Sequence, residues 1–329
     1  MSAREARSRG TPPPPRPAYP VSMTTPAPAC ATAVREPADW LASAAAHAAR
    51  ADALTAAHRE RRAAGERHPI EDFLYDYYGT RPAQLRRWHP GAGTVLRPTA
   101  DGPAEHAAWR WYSTDGDGAV TLDVGAFLAD RGDTVRYLRE LLVATASRRP
   151  FAGCFGLHEW AMVYRSGDAR RRHDLPLRLG RAGTDAVVEA HPIQCSHFDA
   201  FRFFTPDAVG RNALTPTRQT QVVDEQPGCL HANMDLLKWT SKLGPAAPGG
   251  LLLDSFELAR DIRVLDMQAS PYDVSSLGEP AVAIETPAGR ATYVARQRAF
   301  AERSAGLRSR LIDVVEDLGH YAWETAVSS

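Results

Sequence analysis

Apolar residues recur at helical spacing along most of the chain, and they alternate with polar residues in only two regions, 95–122 and 182–204. In TVRYLRELLVATA, for example, Val135, Leu138 and Leu142 fall on one stripe of a helix. Within the first alternating region, WRWYSTDGDGAVTLDV has the turn-rich centre of a β-hairpin. The pattern predicts a mainly α protein with a small β-sheet, in the α+β class. Further helices are predicted for EPADWLASAAAHAARADALTAAHRERRAAGER, CLHANMDLLKWTSKLG, LLLDSFELARDIRVLDMQAS and the segment from ETPAGR to AWETA.

The first 36 residues differ in composition from the rest of the chain. They are rich in Pro, Ala, Ser and Thr, include TPPPPRP, and offer too little apolar surface to offset the entropy of ordering. We predict a disordered Pro/Ala-rich tail over residues 1–36, followed by a single globular, α-rich catalytic domain over residues 37–325. The start of the chain lacks the apolar core of a secretory signal, and no apolar run approaches the roughly 18 residues that span a bilayer. We therefore expect a cytoplasmic protein with no membrane partner.

The charge balance narrows the choice of partner only slightly. Lysine and arginine together number 39, as do aspartate and glutamate, so no overall field attracts nucleic acid, although a local basic patch is compatible with a neutral total. The glycine-rich phosphate-binding motifs and the Gly-x-Ser-x-Gly nucleophile elbow do not occur in their required context. The common nucleotide-cofactor and hydrolase classes therefore lose support. The sequence does not predict the oligomeric state.

Cysteine, histidine and acidic residues cluster three times in the central third of the chain, in GCFGLHEW, HPIQCSHFDAFRFF and GCLHANMD. Three of the four cysteines stand two or four residues before a histidine. Zinc prefers thiolate, imidazole and carboxylate ligands, and the spacing of His197 and Asp199 also suits one arm of an iron facial triad completed by His231. One hypothesis is a Zn or Fe site; the alternative is that the cysteines are small buried hydrophobes beside hydrogen-bonded histidines. The predicted ligands are His158, Cys195, His197, Cys229 and His231.

The three clusters lie far apart along the chain, so a shared site requires them to meet in one pocket. If HPIQCSHFDAFRFF is an extended strand, Cys195, His197 and Asp199 share one face because side chains alternate along a strand. Phenylalanines surround Asp199, and burial among them would raise its pKa and suit it to act as a general base. The alternative is a structural pair of Asp199 with Arg202 or His197. Further catalytic candidates are Glu159 and Asp235.

Aromatic and basic residues interleave in RRWHPG and HFDAFRFF, where stacking planes and guanidinium groups together suit the binding of an extruded base. Core packing explains the aromatic residues equally well, and a solvated helix face explains the arginines. The candidates for stacking on a base or another substrate are Trp160, Phe198, Phe201 and Trp239, and those for contact with phosphates are Arg81, Arg86 and Arg87.

Five longer blocks resemble those of a bacterial, largely actinobacterial family known as 3-methyladenine DNA glycosylases: HPIEDFLYDYYGTRPAQLRRWHPG, FAGCFGLHEWAMVYR, HPIQCSHFDAFRFFTP, QPGCLHANMDLLKW and LDMQASPYD. The resemblance covers about residues 37–320. It implies an enzyme that flips an alkylated purine out of double-stranded DNA and hydrolyses its N-glycosidic bond in base excision repair. The chain departs from the well-understood alkylbase glycosylases, because it has neither their helix-hairpin-helix with a catalytic Asp nor the Cys/His ligands of the zinc-bearing type. No catalytic residue is therefore carried over from the family.

The residues alone leave three functions open. As a glycosylase, the protein would use Asp199, Glu159 or Asp235 to orient water and to stabilise positive charge on the sugar. As a metal-dependent enzyme acting on a small molecule, it would use the central clusters to hold Zn or Fe. A non-enzymatic, zinc-stabilised binding protein would use the same ligands.

Overall fold

The computed structural model describes residues 33–167 and 174–327, with side chains as far as residue 321, and in these residues long helices form the core. Helix α10 (Leu230–Leu243) packs against α11 (Gly249–Gln268) and α12 (Pro287–Val327), and α12 also runs along α4 (Val124–Ala146). Every residue of α10 except Lys238, Ser241 and Lys242 is buried, so α10 is the central helix. The prediction of a mainly α, single-domain protein with a small sheet is confirmed. The remaining helices are α1 (Pro37–Ala64), α2 (Phe73–Tyr77), α3 (Pro82–Arg86), α5 (Leu157–Ala161), α6 (Gly180–Ala190), α7 (Phe198–Phe201), α8 (Pro206–Val209) and α9 (Gln221–Asp224).

Four short strands form one sheet beside α1. They are β1 (Ala33–Arg35), β2 (Thr94–Leu96), β3 (Tyr112–Thr114) and β4 (Val120–Leu122), in the order β1-β2-β4-β3. Strands β3 and β4 form the predicted antiparallel hairpin, β2 pairs antiparallel with β4, and β1 pairs parallel with β2. Trp40 of α1 packs with Leu96 and Val120 in a small apolar cluster beneath the sheet. The first region predicted to be β is thus confirmed.

The prediction that residues 182–204 are β is wrong, because α6 extends to Ala190, α7 covers Phe198–Phe201, and the residues between and after these helices form no strand. The buried residues on one face of α6, at helical spacing, are Thr184, Val187 and Val188. The alternating pattern of the neighbouring residues hides this helical spacing in the sequence. Helix α7 begins directly after His197, so Asp199 does not continue an extended face with Cys195 and His197.

The predicted tail also needs one correction. Residues 33–35, which fall inside the predicted tail of residues 1–36, form β1 and pair with β2. Strand pairing uses main-chain groups, so composition alone does not exclude it. The rest of the predicted tail, residues 1–32, lies outside the described residues. Among the described helices, none has both the length and the apolar character that a membrane crossing requires.

Candidate metal centre

Three imidazoles from separate parts of the chain meet in the core of the protein. The ring of His231, on α10, packs edge-to-face on the ring of His158 with centroids 4.4 Å apart, and its centroid lies 5.4 Å from that of His197. His158 belongs to α5, a short helix that begins after Gly156, whose φ of 72° is in the left-handed region. His197 directly precedes α7. The three sequence clusters therefore meet, as the sequence predicts for a shared site.

His158, His231 and Asp266 form a first group of buried side chains, named the first triad. Their ligand atoms, two imidazole nitrogens and one carboxylate oxygen, lie within 4.8 Å of one another. Nε2 of His158 lies 2.9 Å from Oδ1 of Asp266, and Arg263 donates from Nη1 to Oδ2 of Asp266 at 2.7 Å. The same Nη1 lies 3.2 Å from Oε1 of Glu159. Arg263 and Asp266 are three residues apart on α11, so they project from one face toward α5.

His197, Glu225 and Asp235 form a second buried group, named the second triad, whose ligand atoms also lie within 4.8 Å of one another. Nε2 of His197 lies 3.3 Å from Oδ2 of Asp235 and 3.4 Å from Oε1 of Glu225. The hydroxyl of Tyr78 donates to Oδ1 of Asp235 at 2.8 Å. Gln221 donates from Nε2 to Oε1 of Glu225 at 2.5 Å, so α9 holds this carboxylate in place.

Helix α10 connects the two triads. His231 of the first triad and Asp235 of the second stand four residues apart, and side chains at this spacing are neighbours on one helix face. Lys238, three residues further along, donates from Nζ to Oδ2 of Asp235 at 3.1 Å and to Oδ2 of Asp199 at 3.0 Å. A hydrogen-bonded network therefore leads from the buried imidazole of His197 through Asp235 to the partly exposed Lys238.

Burial and nearby charge set the protonation of the triads. Burial, together with His158, holds the pKa of His231 well below its ordinary value, so this imidazole is neutral and keeps a lone pair. Burial acts to lower the pKa of His197, but the hydrogen bond to Asp235 and the charge of Glu225 raise it above its ordinary value. Burial raises the pKa of Glu225. Burial also opposes ionisation of Asp235, yet the hydrogen bond and charge of His197 hold its pKa well below the usual range.

Thiol groups line a small cavity beside the first triad. The free cysteines Cys154, Cys195 and Cys229 all border a cavity of about 10 Å³, which His158 and His231 also border. This volume holds roughly one water molecule. Burial raises the pKa of the Cys195 thiol to about 12 and raises the pKa of the other two thiols above their ordinary values, so the thiols are protonated. The rest of the lining comes from Gln194, Ser196, Gln226 and Leu230.

The five predicted metal ligands are therefore distributed unequally. His158 and His231 belong to the first triad and His197 to the second. Cys195 and Cys229 border the cavity but belong to neither triad, and within the described ranges no group of closely spaced ligand atoms includes a cysteine. The two triads therefore offer nitrogen and oxygen donors to an ion.

Asp199, the first catalytic candidate, lies outside both triads in an ion cluster near the surface. Its Oδ1 is 3.2 Å from both Nε of Arg202 and Nη2 of Arg218, and its Oδ2 contacts Lys238. Arg202 is thus the structural partner that the sequence suggests as an alternative, whereas His197 pairs with the second triad. The predicted iron-binding arm of His197 and Asp199 is not formed, because α7 turns Asp199 toward these cations.

The four side chains predicted to stack on a base either belong to the apolar core or lie next to charged groups. Trp160 is completely buried, and its indole donates to the carbonyl oxygen of Ala269 at 2.9 Å. Trp239 and Phe201 are buried in the same apolar core, and Phe198 is half-buried. Core packing, the alternative for these aromatic residues, accounts for the three buried ones.

The three candidate phosphate-binding arginines flank α3 and are exposed. Arg86 donates from Nε to Asp52 of α1 at 3.1 Å, and the guanidinium of Arg87 lies 4.9 Å from the ring centroid of Trp109. Arg81 occupies the position before the first turn of α3. These contacts fit a solvated helix face, and phosphate binding by the three arginines stays a prediction.

Sequence reasoning missed one acidic member of each triad, Asp266 and Glu225. Asp266 stands in RVLDMQ, where a charged pair interrupts an otherwise apolar stretch of α11, and that interruption was an available signal. Glu225 precedes GCLH by three residues in a loop, and no periodic pattern marks it.

Comparison with known proteins does not place the chain in a family: no family model matches it, and no curated protein or solved structure matches it. The resemblance to the 3-methyladenine DNA glycosylase family therefore stays a prediction.

Proposed function

We propose that the protein is a metal-dependent enzyme that acts on a small molecule, with the catalytic ion at the first triad, His158, His231 and Asp266. Two imidazoles and one carboxylate are the ligand set typical of mononuclear non-haem Fe(II) oxygenases. Iron(II) is the first candidate, and zinc is the second because it accepts the same donors. A cytoplasmic location belongs to this proposal, because the three free cysteines suit a reducing compartment.

The observation that carries the proposal is the state of His231. Its side chain is only 8% exposed, and neither ring nitrogen makes a hydrogen bond to any of the described residues. Its ring borders the thiol-lined cavity, so a small ligand bound there can contact an imidazole nitrogen. A metal ion is the ligand that we propose, because neutral imidazole is the commonest metal ligand.

The number of ligands favours an enzyme over a structural site. A structural zinc site is closed by four protein ligands, whereas a catalytic site keeps a position open for water or substrate. The first triad offers three ligands, and the thiol-lined cavity gives room beside it for roughly one more small ligand. The hypothesis of a zinc-stabilised binding protein receives less support for this reason.

The glycosylase hypothesis also receives less support. It requires an acid beside a stacking platform that can accept a purine. Asp199 is surrounded by three cations, and both Trp160 and Trp239 are buried in the core. In its favour stand Arg202 and Arg218, which are exposed guanidinium groups of the kind that contacts phosphates.

Metal binding by purified protein tests the proposal. Metal-free protein, prepared with a chelator, is titrated anaerobically with Fe(II) and separately with Zn(II), and bound metal is counted by mass spectrometry after desalting. We expect at least one tightly bound ion per chain and a loss of affinity of about tenfold or more in His231→Gln, because a ligand is removed. The matched control is His47→Gln, which alters a buried histidine whose ring contacts the Leu85 carbonyl at 2.8 Å.

The same preparations also test the competing hypothesis, by an assay for release of 3-methyladenine from methylated DNA. Wild-type protein that binds neither ion contradicts the proposal. So does base release that metal removal and His231→Gln leave unchanged, since the glycosylase hypothesis would then explain the activity without a metal.

A further inference from the structure

We propose that a second metal ion binds at the second triad, His197, Glu225 and Asp235, so that the core holds a dinuclear centre. This inference rests on the proposed function, because the second ion joins the catalytic ion of the first triad. It assigns a binding role to Glu225, which the sequence does not single out, and to Asp235 a role as ligand rather than as general base.

The spacing of the donor atoms is the first argument. Nitrogen and oxygen ligands bind at about 2.1 Å, so two ligands of one tetrahedral ion lie about 3.4 Å apart. Nε2 of His197 lies 3.3 Å from the nearest oxygen of Asp235 and 3.4 Å from that of Glu225. Both distances to His197 thus match the spacing of ligands on a common ion, and all three donor atoms lie within 4.8 Å of one another.

The charge of Glu225 is the second argument. Its side chain is 2% exposed, and His197 is its sole ion-pair partner in the part of the chain that the structure describes. Lys238 pairs with Asp235 and Asp199 instead. Two buried carboxylates therefore converge on one imidazole nitrogen, which carries at most one hydrogen to donate. Gln221 also donates to Glu225, and Tyr78 and Lys238 donate to Asp235, so both carboxylates have hydrogen-bond partners. A divalent cation between the three donors would balance their two negative charges at once.

The position of the second triad makes the two ions neighbours. Side chains four residues apart on a helix have Cβ atoms about 5–6 Å apart, and α10 supplies His231 to one triad and Asp235 to the other. The rings of His231 and His197 are correspondingly close, with centroids 5.4 Å apart. Three imidazoles and three carboxylates make a donor set for Fe(II) or Mn(II) rather than for soft ions such as Cu(I).

Counting bound iron tests this inference separately from the proposed function. Metal-free protein is saturated with Fe(II) under anaerobic conditions, desalted, and analysed for iron per chain. We expect two ions in the wild type, one in Glu225→Gln, which alters only the second triad, and one in Asp266→Asn, which alters only the first. The control is Asp199→Asn, which removes a carboxylate that shares Lys238 with the second triad but belongs to neither triad; it should retain two ions.

The ion counts separate the two proposals. One ion in the wild type, lost in Glu225→Gln and kept in Asp266→Asn, overturns both the dinuclear centre and a catalytic ion at the first triad. One ion in the wild type, lost in Asp266→Asn, leaves the proposed function intact and overturns the second site. No ion in the wild type overturns both. Two ions that persist in Glu225→Gln and in Glu225→Ala place the second ion elsewhere, and that also overturns the inference. The wild-type count decides even if a variant fails to fold.

Discussion

In metal-free protein, the substitution Asp235→Asn is expected to lower the free energy of unfolding by about 3 kcal/mol, because it breaks a buried charge network. Asp235 is 1% exposed and contacts Tyr78 at 2.8 Å, Lys238 at 3.1 Å and His197 at 3.3 Å. Asparagine keeps the shape and part of the hydrogen bonding, but it removes the charge that holds the pKa of His197 high. Breaking a buried ion pair costs about 3–5 kcal/mol, and the retained hydrogen bonds place this variant at the lower end.

The variant Asp199→Asn is the matched comparison, because it loses the same charge one step nearer the surface. Its partners Arg202 and Arg218 are 44% and 54% exposed, and Lys238 is 21% exposed. Asp199 itself is only 8% exposed, but ion pairs to largely exposed cations contribute at most about 1 kcal/mol each, because solvent screens them. We expect a total loss of about 1 kcal/mol, which falls as salt is added because salt screens exposed charges.

Urea denaturation at pH 7 measures both variants, since urea is uncharged and allows the salt concentration to be varied. Circular dichroism and tryptophan fluorescence follow unfolding in the presence of a chelator. We expect a large, salt-independent loss in the free energy of unfolding for Asp235→Asn and a small, salt-dependent loss for Asp199→Asn. If Asp235→Asn unfolds within error of the wild type, the network does not stabilise the core, and the burial argument for the second triad is refuted.

Three further variants or labels test other parts of the structure. Hydrogen bonds, chiefly from Arg61, lower the pKa of Asp72 to about 2 against the effect of burial, so this carboxylate stabilises the fold above about pH 4 and loses that effect as the pH falls toward 2. Asp72→Asn should therefore cost about 2 kcal/mol at pH 7 and almost nothing near pH 2, and a pH-independent cost in urea titrations would contradict this. The Cys195 thiol, whose pKa burial raises to about 12, should react with a disulfide reagent only after unfolding, and fast labelling of native protein at pH 8 would show that the cavity opens. Gly156 has a left-handed φ of 72°, and an added Cβ would lie 3.4 Å from Ala269, whereas at Gly278 φ is 80° and no atom lies within 4 Å of an added Cβ. The Gly156→Ala protein should therefore be less stable and bind metal more weakly than the Gly278→Ala protein. Equal effects of the two substitutions would show that α5 does not need Gly156 to place His158.

Local patterns predicted the parts of the fold that local forces determine. The long helices α4, α10, α11 and α12 and the β3–β4 hairpin follow from periodicity and turn residues within single segments. Strand β1 was not predicted, because it is only three residues long and its partner β2 is almost 60 residues away along the chain. The sequence predicts a strand where α6 forms, because the buried positions of this helix are followed directly by extended residues.

In the candidate site, too, local sequence patterns predict some of the residues, and the others depend on how distant segments pack. The residue types in the Cys/His clusters indicated that three segments belong together, and their imidazoles do meet. The acids that complete each triad depend on how α9 and α11 pack against α10, which no local pattern encodes. The aromatic neighbours of Asp199 in the sequence favour it as the catalytic acid, but the start of α7 directs its side chain toward cations near the surface.

The burial of so much charge beside α10 argues for function rather than stability. Apolar side chains in place of a buried ion network are often neutral or stabilising by about 1–4 kcal/mol, so the fold gains little from these groups. Asn233, on the same helix, is a buried polar side chain with a structural role. It donates to the carbonyl of Pro227 at 3.1 Å and accepts from Arg308 at 2.6 Å. Two residues away, His231 has no hydrogen bond to a described residue, and Glu225, which accepts from the neutral Gln221, shares its one ion-pair partner, His197, with Asp235. Buried carboxylates that share one imidazole, beside a second imidazole at a cavity, are consistent with a site that binds cations, and a pair of divalent cations matches their donors, spacing and charge.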